Sequence, residues 1–132
     1  MGMIMDADVI IRAERGAFDL VRWIKTRTDE PQIAAITAAE LWHGVERATA
    51  LHRHYRERYI RAFLDSVGIL PYTEMTAILH ARIWAVLESL GKMAGPYDLI
   101  VAATALEHGS SVVTFNRRHF AQIQGLSVVV PE

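Results

Sequence analysis

The chain has 132 residues, 52% of them hydrophobic and 22% charged, with no cysteine and a formal net charge of −1. That length fits one globular domain, residues 1–132, and the short, charge-interrupted apolar runs argue against disorder, a bilayer span or a cleaved secretory leader, so a soluble cytoplasmic protein is expected. Without cysteine there are no disulfides, thiolate metal sites or cysteine nucleophile, and the near-neutral balance at first speaks against a nucleic-acid partner.

The apolar run at residues 3–6 ends in a carboxylate, and Asp8 stands where a helix N-cap belongs, ahead of Val9, Ile10 and Ile11. A strand running into a helix is predicted. Gly16 breaks that helix, and residues 17–27 resume it with Phe18, Val21, Trp23 and Ile24 at near-helical spacing. Residues 33–36 predict a second strand, after which Thr37 opens a helix to about Ala48. In residues 51–67, Tyr55, Tyr59, Phe63 and Val67 recur every fourth position and form one apolar stripe. Residues 69–72 are a short apolar run, and residues 74–90 predict a long helix with Ile78, Ala81, Ala85 and Leu90 facing inward. Pro96 suits the first residue of a helix that runs to about His108 and is closed by Gly109. The β-branched runs at 111–114 and 126–130 flank a short helix at 117–122. Strand alternates with helix and no hairpin signal intervenes, so the class is α/β, with a parallel sheet covered by helices and ligands at the C-terminal strand ends.

Three carboxylates stand at such ends. Asp6 closes the first strand, although an acid beside a helix start can also serve as a cap. Glu40 follows the second strand and also completes Thr37-Ala38-Ala39-Glu40, which has the form of a capping box. Asp98 lies in the first turn of a helix that is apolar on nearly every face and is therefore expected to be buried. Acids converging from three strand-to-helix junctions raise one another's pKa values, and a hard divalent cation, Mg²⁺ or Mn²⁺, relieves that repulsion through oxygen ligands. Such an ion can polarise water and neutralise charge on a phosphodiester under in-line attack. The six histidines form no H-E-x-x-H pattern and no G-x-S-x-G elbow exists, which argues against zinc and serine chemistry. Arg47, Arg53, Arg56, Arg58 and Arg61 crowd the middle helices. They make either a solvated face or, with Arg117 and Arg118, a phosphate-contacting rim.

The stretches Ile4-Met5-Asp6-Ala7-Asp8-Val9, Thr37-Ala38-Ala39-Glu40-Leu41, Gly95-Pro96-Tyr97-Asp98-Leu99-Ile100-Val101-Ala102-Ala103 and Thr114-Phe115-Asn116-Arg117-Arg118-His119-Phe120 occur in that order. In this arrangement the chain resembles PIN-domain ribonucleases, and among them VapC-type toxins of toxin-antitoxin modules, over essentially its whole length. The resemblance implies a three-layer α/β/α sandwich with a central, mostly parallel sheet. It also implies a Mg²⁺-dependent endoribonuclease, with Mn²⁺ as a substitute, that acts as a toxin. Asp6 and Asp98 match the metal-ligand positions, Glu40 would position metal or water, and Thr114 and Asn116 match the fourth motif. Asn116 stands where an acid is also common and adds no charge, while Ala7 replaces a small hydroxyl residue. Arg47, Arg53 and Arg117 are the candidate RNA contacts. A cognate antitoxin and a homodimer are the implied protein partners. Two other readings are a haloacid-dehalogenase-like phosphatase with Asp6 as nucleophile, suggested by Asp6-Ala7-Asp8, and an inactive RNA-binding module of the same fold, suggested by Asn116.

Overall fold

A computed structural model describes residues Met1–Glu132. In chain order the elements are β1 (Gly2–Met5), α1 (Ala7–Glu14), α2 (Leu20–Lys25), β2 (Glu30–Ala34), α3 (Ala35–Arg47) and α4 (Ala50–Ser66). They continue with β3 (Gly68–Leu70), α5 (Glu74–Ser89), α6 (Pro96–His108), β4 (Ser111–Val113), α7 (Arg117–Phe120) and β5 (Val128–Val129). The strands form one sheet in the order β3-β2-β1-β4-β5, and every pairing is parallel.

Strand alternation creates the layers, because successive side chains point to opposite faces. Met3 and Met5 of β1 enter a core with Val9, Ile10, Leu41, Val45 and Ile60, from α1, α3 and α4. Ile4 points the other way, into a core with Leu87, Leu99, Val101, Ala102 and Phe120, from α5, α6 and α7. β4 divides in the same manner, Val113 joining the first core and Val112 the second. The result is a three-layer α/β/α sandwich. Helix α6 is buried on most of its circumference, as its uniformly apolar sequence requires, and ends at Gly109, whose φ of 63° places it in the left-handed region that glycine occupies without strain. No helix is long and apolar enough to cross a membrane.

Several sequence expectations are corrected at element boundaries. The cap of α1 is Asp6 and not Asp8: the Asp6 carboxylate accepts from the Ala7 amide at 2.9 Å. Strand β2 spans Glu30–Ala34 and passes directly into α3, so Thr37 lies inside the helix and the expected capping box with Glu40 does not form. The Thr37 hydroxyl is fully buried and has no hydrogen-bond partner. Asp19 caps α2 by accepting from the Arg22 amide at 3.1 Å, which delays that helix to Leu20.

The inward face of α5 is also different from the expected one. Thr76 and Leu87 are buried, whereas Ile78 and Leu90 are 39% and 59% exposed. Apolar residues surround this helix, so periodicity alone admits more than one face. The choice is made by hydroxyls at its start, since Thr73 and Thr76 both donate to the Glu107 carboxylate on α6. In α4 the stripe is rotated as well: Ile60 and Leu64 are buried, Tyr59, Phe63 and Val67 pack at the margin, and Tyr55 is exposed.

Candidate active site

The strand order reverses direction between β1 and β4, because the chain first builds outward through β2 and β3 and then returns beyond β1. In a parallel sheet this leaves a crevice at the C-terminal ends of those two strands. Asp6 follows β1 and Thr114 follows β4, so both flank the crevice. The Asp6 amide donates to the Val113 carbonyl at 2.9 Å, and the buried Thr114 hydroxyl donates to Asp6 Oδ2 at 2.9 Å. The same hydroxyl accepts from the Asn116 amide at 3.0 Å. A hydrogen bond to the carboxylate thus fixes Asp6 while the strand ends hold its backbone.

Asp8, freed from capping, ties the loop after β4 to α1. Its Oδ2 accepts from the Phe115 amide at 3.1 Å and from Asn116 Nδ2 at 3.0 Å. The Arg12 guanidinium lies 4.3 Å from the centre of the Phe115 ring and supports the same junction. Sequence reasoning missed this role. The available signal was a second acid two residues after the first, on a helix start that needs only one cap.

Asp98 enters from the first turn of α6. A Cβ on Gly95 would lie 3.0 Å from Asp98 Oδ2, so the glycine leaves room for the carboxylate. His119 Nδ1 of α7 stands 3.4 Å from the same oxygen. Glu40 projects from α3 and is half-buried. Burial, together with repulsion from Asp6, Asp98 and Asp8, raises the pKa of Glu40 to about 7. Burial and the Asp6 charge lift Asp8 to about 6. Asp98 is raised by burial and by Asp6, against a lowering by His119, while Asp6 is raised by burial despite its hydrogen bonds to Thr114 and Ala7. As placed, no three acidic or histidine side chains close on one point to form a ready cation cage. The two observations are compatible, since charges repel across a cleft of low dielectric over distances well beyond the ~2.0–2.1 Å of Mg²⁺ coordination. The donor set, oxygen atoms carrying excess negative charge, fits a hard divalent cation.

Beside Glu40 opens a cleft of about 410 Å³, lined by Glu40, His43 and Arg47 of α3, Arg15 after α1, Arg56 of α4 and Tyr97. Arg56 is held by Glu14 at 2.9 Å and by the Gly44 carbonyl at 3.2 Å. The three arginines considered as RNA contacts separate: Arg47 lines the cleft, Arg53 pairs with Glu46 at 3.0 Å and does not line it, and Arg117 is exposed at the start of α7. Neither lysine of the chain lines the cleft.

A family model described as PIN domain matches residues 3–126. The chain is 33% identical to Ribonuclease VapC1 of Rickettsia felis over 133 aligned residues, which cover 98% of this chain and 96% of that protein. It is 34% identical to the tRNA(fMet)-specific endonuclease VapC of Salmonella typhimurium over 96 residues, 73% of this chain and 71% of that one. The structure of DNA-bound VapBC from Salmonella typhimurium superposes with a TM-score of 0.88 at 26% identity, over 98% of both chains. These matches set aside the phosphatase reading. The chain belongs to the PIN-domain family and closely matches VapC-family toxins of toxin-antitoxin systems in sequence and structure.

Proposed function

We propose that this protein is a divalent-metal-dependent endoribonuclease, with Mg²⁺ the natural ion and Mn²⁺ a substitute, acting as the toxin of a toxin-antitoxin pair. The observation that carries this reading is the group of mutually repelling carboxylates at the switch point of the sheet, with Glu40 raised to about 7. Asp6 and Asp98 would hold the ion, with Glu40 assisting. Bound there, the ion would polarise a water and offset the charge that develops on the phosphodiester. Thr114 orients Asp6 through its hydroxyl. Asn116 is held by Asp8, which fixes the loop that leads to Arg117. Glu40, with a pKa near neutrality, would accept a proton from the attacking water. RNA is the proposed substrate, a cognate antitoxin the proposed inhibitor, and a homodimer the proposed assembly. Names of the relatives support the first two, since they include ribonucleases and a VapBC complex.

The test is incubation of antitoxin-free protein with defined tRNAs, rRNA and mRNA in Mg²⁺, Mn²⁺ or EDTA, with mapping of the ends. Cleavage in the metal lanes that is absent in EDTA and in Asp98→Asn is expected. Metal-independent cleavage, or full activity in Asp98→Asn, would overturn the assignment.

A further inference from the structure

Asp98 and His119 come together because the residues that follow them do. Leu99 and Phe120 share the second core, Phe120 with no exposed surface, so the first turn of α6 and the short helix α7 are fixed side by side. The His119 amide also donates to the Asn116 carbonyl at 3.0 Å, which closes α7 onto the loop that Asp8 holds. His119 Nδ1 then stands 3.4 Å from Asp98 Oδ2. Of the six histidines it alone lies within ion-pair distance of a carboxylate of the acidic group, for His108 pairs with Glu107 at the opposite end of α6. When protonated, His119 lowers the pKa of both Asp6 and Asp98, so its ring is within electrostatic reach of both. A charge-assisted N–H···O bond draws its atoms to about 2.7–2.9 Å, and this pair is not so close. Two donors bound side by side to one ion, each about 2.1–2.2 Å from it and about 90–110° apart, are separated by about 3.0–3.6 Å. No third acid or histidine closes on the same point, so Asp98 and His119 are the two donors that the fold offers ready-spaced.

We propose that His119 is a nitrogen ligand of the metal centre, engaged through Nδ1 by Mn²⁺ and Co²⁺ beside Asp98 and left aside by Mg²⁺. Affinity for nitrogen donors rises along the first-row ions from Mn²⁺ to Co²⁺, whereas Mg²⁺ takes oxygen ligands and keeps several of its waters. With Nδ1 bound, Nε2 carries the ring proton, and the ring is half-exposed, so water can accept it. The assignment rests on the metal-dependent reading of the site and deepens it, because the preference of the site among ions then depends on one residue outside the carboxylate group.

Mn²⁺ is added to the full-length protein, which is followed by electron spin echo envelope modulation. Modulation from a directly bound ¹⁴N is expected, replaced by the ¹⁵N pattern when histidine alone is ¹⁵N-labelled. His119→Gln should abolish it and lower Mn²⁺ and Co²⁺ affinity by at least about tenfold, the loss that even residues behind the ligands cause. Mg²⁺ affinity, measured by calorimetric titration, should stay unchanged in that variant. His43→Gln, on the Glu40 side of the site, should keep both the modulation and the affinities. The assignment is overturned if wild-type protein with Mn²⁺ shows no histidine nitrogen modulation, or if the modulation survives in His119→Gln. It is also overturned if His119→Gln weakens Mg²⁺ as much as Mn²⁺, the result that a merely structural role predicts. The labelled wild type needs no variant, so a His119→Gln chain that fails to fold leaves the first of these outcomes in force. Failure of the broader reading looks different: His119 binds Mn²⁺, yet wild-type protein cleaves no RNA in Mg²⁺ or Mn²⁺.

Discussion

At the scale of single residues, Asp6 was legible at the end of the first strand because position in a parallel sheet follows from the alternation of apolar runs, whereas Glu40 lies inside α3 and Asp98 opens α6 after a helix, so neither stands at the strand-to-helix junction expected for it. That Asp8, Thr37 and Glu40 do not act as capping groups was not legible. Two acids two positions apart both suit an N-cap, and the contest is settled by a loop more than a hundred residues away that claims Asp8. Consequences follow for substitution. Asp6→Asn should fold as well as wild type without metal, since asparagine caps a helix as aspartate does and one repelling charge is removed. The Thr114 hydroxyl can then turn to Asp8 Oδ1, 3.5 Å away. Asp6→Ala should instead lose roughly 1–3 kcal/mol in urea unfolding, from the missing cap and a weakened anchor for Thr114. Equal stability of the two variants would contradict the capping role. Thr37→Val removes a buried hydroxyl that has no partner and nearly preserves shape, so the urea midpoint should rise by an amount equivalent to about 1 kcal/mol, with an unchanged m-value.

At the scale of elements, helices with a strong terminus signal were read closely, and those with apolar residues on every side were not. Pro96 and Gly109 bracket α6 as expected, while the face of α5 depends on a carboxylate of α6 that no local pattern reveals. The start of α6 offers a test that separates helix from site. Gly95 has a φ of −59°, which alanine adopts without strain, but it is the N-cap of α6, where alanine is disfavoured, so the two effects oppose each other and Gly95→Ala should change the melting temperature little. The added methyl would press on Asp98 Oδ2, however, and displace it. Mn²⁺ affinity, measured by electron paramagnetic resonance, should fall, because a divalent ion of this size tolerates little departure of its oxygen ligands from ideal geometry. Affinity equal to wild type in both Gly95→Ala and Asp98→Asn would remove Asp98 from the ligand set.

At the scale of the whole molecule, the net charge of −1 conceals a separation of signs that only the fold creates. Acids distant in sequence gather at the β1–β4 crevice, and guanidinium groups from the end of α1, from α3 and from α4 (Arg15, Arg47 and Arg56) border the cleft beside it. Sequence alternation revealed the parallel sheet, but total charge gave no access to this arrangement, because charges far apart in the chain contribute to it. Such a cluster has a thermodynamic signature opposite to that of salt-bridged carboxylates. Asp6, Asp8, Glu40 and Asp98 all have folded pKa values above their unfolded ones, so the native state binds more protons than the unfolded state over the interval between them. Stability contributed by these groups is therefore complete below about pH 4 and is lost as pH rises to about 7, the value of Glu40. The metal-free protein should melt at a higher temperature at pH 5.5 than at pH 8 by calorimetry. Mg²⁺ binds the ionised carboxylates in competition with protons, so saturating Mg²⁺ should raise the melting temperature more at pH 8 than at pH 5.5 and flatten the pH dependence. In Glu40→Gln the metal-free dependence between those two pH values should shrink, because the group titrating nearest neutrality is gone. A protein whose melting temperature rises with pH over this range, or responds to Mg²⁺ equally at both, would show that these carboxylates do not act as one charged cluster.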